Sequence, residues 1–295
     1  MAADWLYVYP VRADWYRKNY SLFIMKVKHR GSTGETVSEA FTLIELLVVI
    51  GVIGILASLL LPVLSKSKLR AKDAQCLNNL RQLAIANTVY VDSSKGVCPP
   101  YGNWMAELLR YQNTVLPLRF CPMAAETNTV EWGTIDKAWS WLPKFSSNRW
   151  DGSYCMNGWL YSNRIKMMDA DQVTNVFWKE SNIRKPSQTP LFMDGNWLDC
   201  WPKASDRPAK NLYEGTRTPR GIVAVNGGAS MGRLTIPRHG GFAPGEAPRD
   251  FDAKEKLPGG INVACFDGHV EFSKLESLWD FYWHANWVPP DTRPQ

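Results

Sequence analysis

The side chains able to do chemistry are few and far apart in this chain of 295 residues. His239, Asp267 and His269, with Asp194, are ordinary metal-ligand types. No second close-spaced ligand pair accompanies them, so the sequence assigns them structural hydrogen bonds. Asp267 makes a turn and His239 orders a loop; no metal and no cofactor is expected. Gly228-Ala229-Ser230-Met231-Gly232 spells G-x-S-x-G. That nucleophile elbow needs a strand before it and a helix after it, whereas Arg233–Pro237 reads as a strand ending at proline. A glycine-rich turn is the better account. Asp194, Asp199, Asp267 and Glu271 are carboxylates of the kind that pair in glycoside hydrolysis, and the 14 tryptophans could stack on sugar rings. Tryptophan in a domain of this size more often serves core or subunit contacts. The reading is a protein without catalytic residues. Its alternative is a membrane-tethered surface protein that binds carbohydrate or, less favoured, hydrolyses it.

The six cysteines stand at 76, 98, 121, 155, 200 and 265, and none forms a C-x-x-C pair. That argues against zinc ribbons and thioredoxin-like redox sites. Cys98-Pro99 and Cys121-Pro122 bracket one stretch, and a Cys98–Cys121 bridge is the expected pairing in an oxidising compartment. Cys265, on an expected strand, reads equally as a free core residue. The net charge of +6 comes from scattered basic residues. A nucleic-acid surface would need a basic stripe interleaved with aromatics; the excess reads as surface charge, and no nucleic-acid partner is expected.

One carboxylate sits in apolar ground. Phe41–Leu64 reads FTLIELLVVIGVIGILASLLLPVL, and Glu45 is its only charge. At about 1.5 Å rise per residue, a helix of this length crosses a hydrocarbon core of about 30 Å. A secretory signal peptide would be shorter and would end in a small-x-small cleavage site; here the run passes into Ser65-Lys66-Ser67-Lys68. A lone carboxylate at the centre of a span costs about 2.5–3.5 kcal/mol, less near its end. Glu45 therefore needs a partner. Gly54 and Ser58 form a small-x-x-x-small pair suited to close helix approach, and Pro62 should kink or locally melt the helix. Lys26, Lys28 and Arg30 precede the span, and Lys66, Lys68, Arg70 and Lys72 follow it. The positive-inside count does not favour a cytoplasmic amino terminus.

Beyond Pro62 the pattern stays helical. Leu69, Cys76, Leu80, Leu83, Asn87 and Tyr90 recur about every 3.5 residues, and Ser93-Ser94-Lys95-Gly96 is a stop signal after Asp92. The first half of this helix is apolar all round; the second is amphipathic and must pack on a sheet. Strands are expected at Gly152–Asn157, Val176–Lys179, Pro190–Asp194, Gly221–Val225, Arg233–Pro237, Gly260–Phe266 and His269–Phe272. Asp267-Gly268 gives the tight turn between the last two. Trp279–Trp287 suggests a short C-terminal helix. The expected fold is α+β, a long N-terminal helix packed on an antiparallel head. Its parts are a leader at 1–40, with translation starting at Met25, a membrane helix at 41–64, an amphipathic continuation at 65–95, and a β-rich head at 96–295 with a loop insertion near 242–259.

Ser38-Glu39-Ala40-Phe41-Thr42-Leu43-Ile44-Glu45-Leu46-Leu47-Val48-Val49-Ile50 closely resembles the processing signal of type IV prepilins and type II secretion pseudopilins. The resemblance implies cleavage between Ala40 and Phe41 by a prepilin peptidase, which then methylates the new amino terminus. The family has Gly where this chain has Ala40. It further implies that Glu45 meets the amino terminus of a neighbouring subunit in a filament. Pairing of that kind offsets the cost of the buried charge and fixes register. The implied partners are the peptidase/N-methyltransferase, an inner-membrane assembly platform, the membrane and copies of the chain itself. The head would be periplasmic, or extracellular after assembly. Arg238-His239-Gly240-Gly241 and Asn262–Val270 are similar to a C-terminal His…Asp-Gly signature of large pilin-like families, carried here by His239, Asp267 and Gly268. The stretch Phe242–Gly259 separates its two parts.

Overall fold

The structure, a computed structural model, describes residues 42–111, 115–127, 131–142, 149–163, 170–217 and 231–295. The leader with Met25, Ala40 and Phe41, and the strand expected at Gly221–Val225, lie outside them. The chain divides into two compact units, Met1–Gly54 and Ile55–Gln295.

Helix α1 (Leu43–Ser93) runs unbroken through Pro62, which does not melt it as expected. Every residue from Thr42 to Ala71 is exposed. Burial begins at Cys76 and continues through Asn79, Leu80, Leu83, Ala84, Ala86, Asn87 and Val91, the spacing of one helix face. The expected stripe thus starts at Cys76; Leu69 stays outside it. The helix ends where Lys95 turns left-handed (φ 58°) and the Gly96 N–H reaches back to the Val91 carbonyl at 2.9 Å. This is a Schellman-type stop, which favours a residue without a Cβ at Gly96, whose φ is +81°.

The head is built on two sheets. Short helices α2 (Trp104–Leu109) and α3 (Val115–Leu118) lead into β1 (Glu126–Thr127), β2 (Lys137–Trp141) and β3 (Trp150–Gly152). These form a small sheet in that order, β1 parallel and β3 antiparallel to β2. The main sheet comprises β4 (Tyr154–Asn157), β5 (Pro190–Asp194), β6 (Asp199–Cys200), β7 (Gly260–Cys265) and β8 (Val270–Lys274), in the order β6-β4-β5-β7-β8. All its pairings are antiparallel except β4 with β6. Helix α1 packs on the sheet face carrying Tyr154 and Asp194: the Tyr154 hydroxyl donates to Cys76 Sγ at 3.3 Å. The protein is therefore α+β, with the helix laid on the sheet.

All six residues of β7 are buried. A strand flanked on both sides, in a sheet covered on both faces, has no wet side. Val176–Lys179 and Arg233–Pro237 are not strands. Trp178 takes a left-handed φ of 61°, and Met231–Arg233 is a 3₁₀ turn followed by irregular chain. That chain buries the Arg233 and Arg238 side chains, which an edge strand would leave in water. The C-terminal helix is replaced by a 3₁₀ segment at Leu275–Asp280. Trp279 in this segment and Trp283 and Trp287 beyond it are buried, and each indole N–H donates to a carbonyl, of Asp206, Leu278 and Trp279 respectively.

Candidate functional site

At the start of α1, Thr42 and Glu45 cap the helix reciprocally. The Thr42 N–H and hydroxyl donate to Glu45 Oε2 at 2.8 and 2.7 Å, and the Glu45 N–H donates to Thr42 Oγ1 at 3.3 Å. This is a capping box. Its signature, Thr-x-x-Glu, stands in the sequence as Thr42 and Glu45. Leu43 through Leu64 expose their apolar side chains, Leu43 at 81%. Gly54 has open space where a Cβ would stand, and the Ser58 hydroxyl donates to the Ile55 carbonyl at 2.7 Å. Helix α1 is long and apolar enough to cross a membrane.

The C-terminal signature is split. Asp267 makes the β7–β8 turn, as expected: its Oδ1 accepts from the His269 N–H at 3.1 Å and pairs with His269 Nδ1 at 2.6 Å, and Gly268 takes a φ of +90°. Both side chains are more than a third exposed. His239 is fully buried and turned elsewhere. Its backbone bridges to Gly260 at the start of β7, at 2.9 and 3.0 Å. The metal-ligand set considered from sequence is thus broken, with His269 lying nearer Cys265 and Glu271.

What His239 meets instead is a buried cluster. Nε2 lies 3.1 Å from Asp194 Oδ2 and 3.4 Å from Cys121 Sγ, while Nδ1 lies 2.5 Å from Asp73 Oδ1 on α1. Cys76 Sγ is 3.7 Å from the same Asp194 oxygen. The second Asp194 oxygen takes the Arg238 guanidinium at 3.0 Å, and the Asn262 N–H donates to Oδ2 at 3.0 Å. Arg238 also donates to the carbonyls of Thr134, Ile135, Ser153 and Gly195. Burial alone raises a carboxyl pKa, but His239 and Arg238 beside Asp194 hold it well below the usual carboxylate range. Burial likewise lowers an imidazole pKa, yet Asp194 and Asp73 push His239 up to about 12. Cys121 is pulled down to about 7: its burial is outweighed by contacts with Cys76 and His239.

All six cysteines are free and buried. The expected Cys98–Cys121 bridge is not made, because Cys121 is turned toward Cys76 and His239. Asp194 and Asp199 are each tied to a different arginine, Arg238 and Arg233, and do not form a catalytic pair. Of the G-x-S-x-G string, Gly228 to Ser230 lie outside the described residues. No described tryptophan is exposed; Trp104, Trp139, Trp159, Trp201, Trp279 and Trp283 are fully enclosed. Sequence missed Cys121 as a partner of His239 and Cys76 as a partner of Asp194 because nothing local signals a meeting across 118 positions.

No family model, no curated protein and no solved structure matches the chain.

Proposed function

We propose that the protein is a pilin-like filament subunit, anchored by one membrane-crossing helix and assembled through α1 into a type IV pilus-like filament or a type II secretion pseudopilus. The observation that supports this reading is the unbroken exposed apolar surface from Leu43 to Leu64 with Glu45 at its head. Such a surface is not stable in water and calls for lipid or other copies of itself. Cleavage before Phe41 would place a new ammonium beside that surface, and Glu45 of an adjacent copy supplies its counter-charge. In this reading the head carries no catalysis, and the protein's work is mechanical.

Mass spectrometry of the native protein tests the proposal. The expected product begins at N-methyl-Phe41. A mature chain that keeps residues 25–40 overturns the filament reading and leaves a tethered head. Glu45→Leu separates the two functionally: it stops assembly of a filament subunit and leaves a mere anchor unaffected.

A further inference from the structure

Cys76, Cys121, Asp194 and His239 offer two sulfurs, one oxygen and one nitrogen, all within 4.8 Å of one another and all buried. Their spacing is close to that of a tetrahedral metal site. Ligand bonds of about 2.3 Å to sulfur and about 2.0–2.2 Å to nitrogen and oxygen, at tetrahedral angles, give ligand–ligand edges of about 3.3–3.8 Å. Three of the six edges are 3.4 Å for Cys121–His239, 3.7 Å for Cys76–Asp194 and 3.1 Å for His239–Asp194, and the other three are within 4.8 Å. Closure around an ion needs shifts of a few tenths of an ångström at those three edges and of at most about 1 Å at the others.

The surroundings orient these donors. Nδ1 of His239 is held by Asp73, so Nε2 is the nitrogen turned to the cluster, the arrangement found behind most metal-bound imidazoles. Arg238 occupies Oδ1 of Asp194 and leaves Oδ2 facing the sulfurs. The Tyr154 hydroxyl points at Cys76 Sγ, where it would support a thiolate. A buried site with two sulfurs, one imidazole and one carboxylate is a closed, four-coordinate set, the pattern of structural zinc.

We propose that these four residues bind one zinc ion that staples the helix to the head. Its ligands come from α1, from the turn after α3, from the end of β5 and from the residue bridging to β7. On binding, two Zn–S, one Zn–N and one Zn–O contact form. The thiol protons of Cys76 and Cys121 and the Nε2 proton of His239 leave to solvent, and no atom changes oxidation state. The site lies wholly within Ile55–Gln295 and does not depend on the filament reading.

The test uses the full-length protein purified without chelator. Elemental analysis is expected to find one zinc per chain. Replacement with Co²⁺ should give a thiolate-to-cobalt charge-transfer band and tetrahedral d–d bands. Cys76→Ser and Cys121→Ser should lose the band and the stoichiometric metal, while Cys98→Ser keeps both. Asp73→Asn, which touches only the far side of the imidazole, should weaken affinity about 10–100-fold against a chelating dye. The cobalt spectrum of the unmutated chain decides the matter should a cysteine variant fail to fold. The proposal is overturned if the reduced protein takes up no stoichiometric zinc or cobalt. Copper or iron as the native metal also sinks it, as does a Cys76–Cys121 disulfide in native material, seen as two thiols lost to alkylation in denaturant.

Discussion

His239 Nδ1 and Asp73 Oδ1 join the head to helix α1 across 166 positions of sequence, at 2.5 Å. The contact fixes which face of α1 meets the sheet. Asp73 lies one turn before Cys76, so both point the same way, and both end on the group of residues around Asp194.

Arg238 should be among the least replaceable residues of the head. Its side chain is fully buried; it carries the counter-charge of Asp194 and donates to four carbonyls. Arg238→Leu leaves a buried carboxylate short of a cation, and a loss of about 3–5 kcal/mol is expected. Urea unfolding of the detergent-solubilised protein measures it; a loss below about 1 kcal/mol would contradict the assignment.

The helix face makes a simpler prediction. Leu80 and Leu83 are completely enclosed, so truncation of either to Ala should cost about 2–5 kcal/mol. Ile85, which is 52% exposed on the opposite face, should tolerate Ala with little change. Matching losses at Leu83 and Ile85 in thermal unfolding would show that α1 is rotated from the orientation described.

Stability should fall in acid partly through His284. Burial, with Lys203 nearby, lowers its pKa to about 4 from an ordinary 6.5. Between those values the unfolded chain takes up a proton that the folded chain refuses. The folded state therefore loses stability as pH drops from 6.5, by up to about 3 kcal/mol, and the loss levels off below about pH 4. The ring stacks edge-on against Trp159 and Trp287 at 5.2 and 5.1 Å, a setting that Phe can share. His284→Phe should flatten the profile of Tm against pH over that window; an unchanged profile would remove His284 as the cause.

Thr42→Val separates the two roles open to Glu45. It abolishes the capping box, at about 0.5–2 kcal/mol of helix-end stability, while leaving the carboxylate in place. If inter-subunit charge pairing is what matters, Thr42→Val assembles into filaments and Glu45→Leu does not. Equal failure of both in electron microscopy would make the cap, not the charge, the requirement.

Much of this protein was written in local sequence. Phe41–Leu64 declares an apolar helix by composition, the spacing of Cys76, Leu80, Leu83 and Asn87 declares its buried face, and the Asp267-Gly268 turn declares the β7–β8 hairpin. Each signal lies within a few residues of what it specifies, because helix periodicity and turn chemistry are local properties. What tertiary structure decided is where the polar residues go. Arg233–Pro237 has the alternation of a strand, but burying two arginines against Asp199 and Asp194 outweighed that preference. Cys121 had a plausible partner at Cys98 and found others at Cys76 and His239. Contacts of that kind depend on how β5, β7 and α1 stack, and side-chain spacing along the chain carries no record of it.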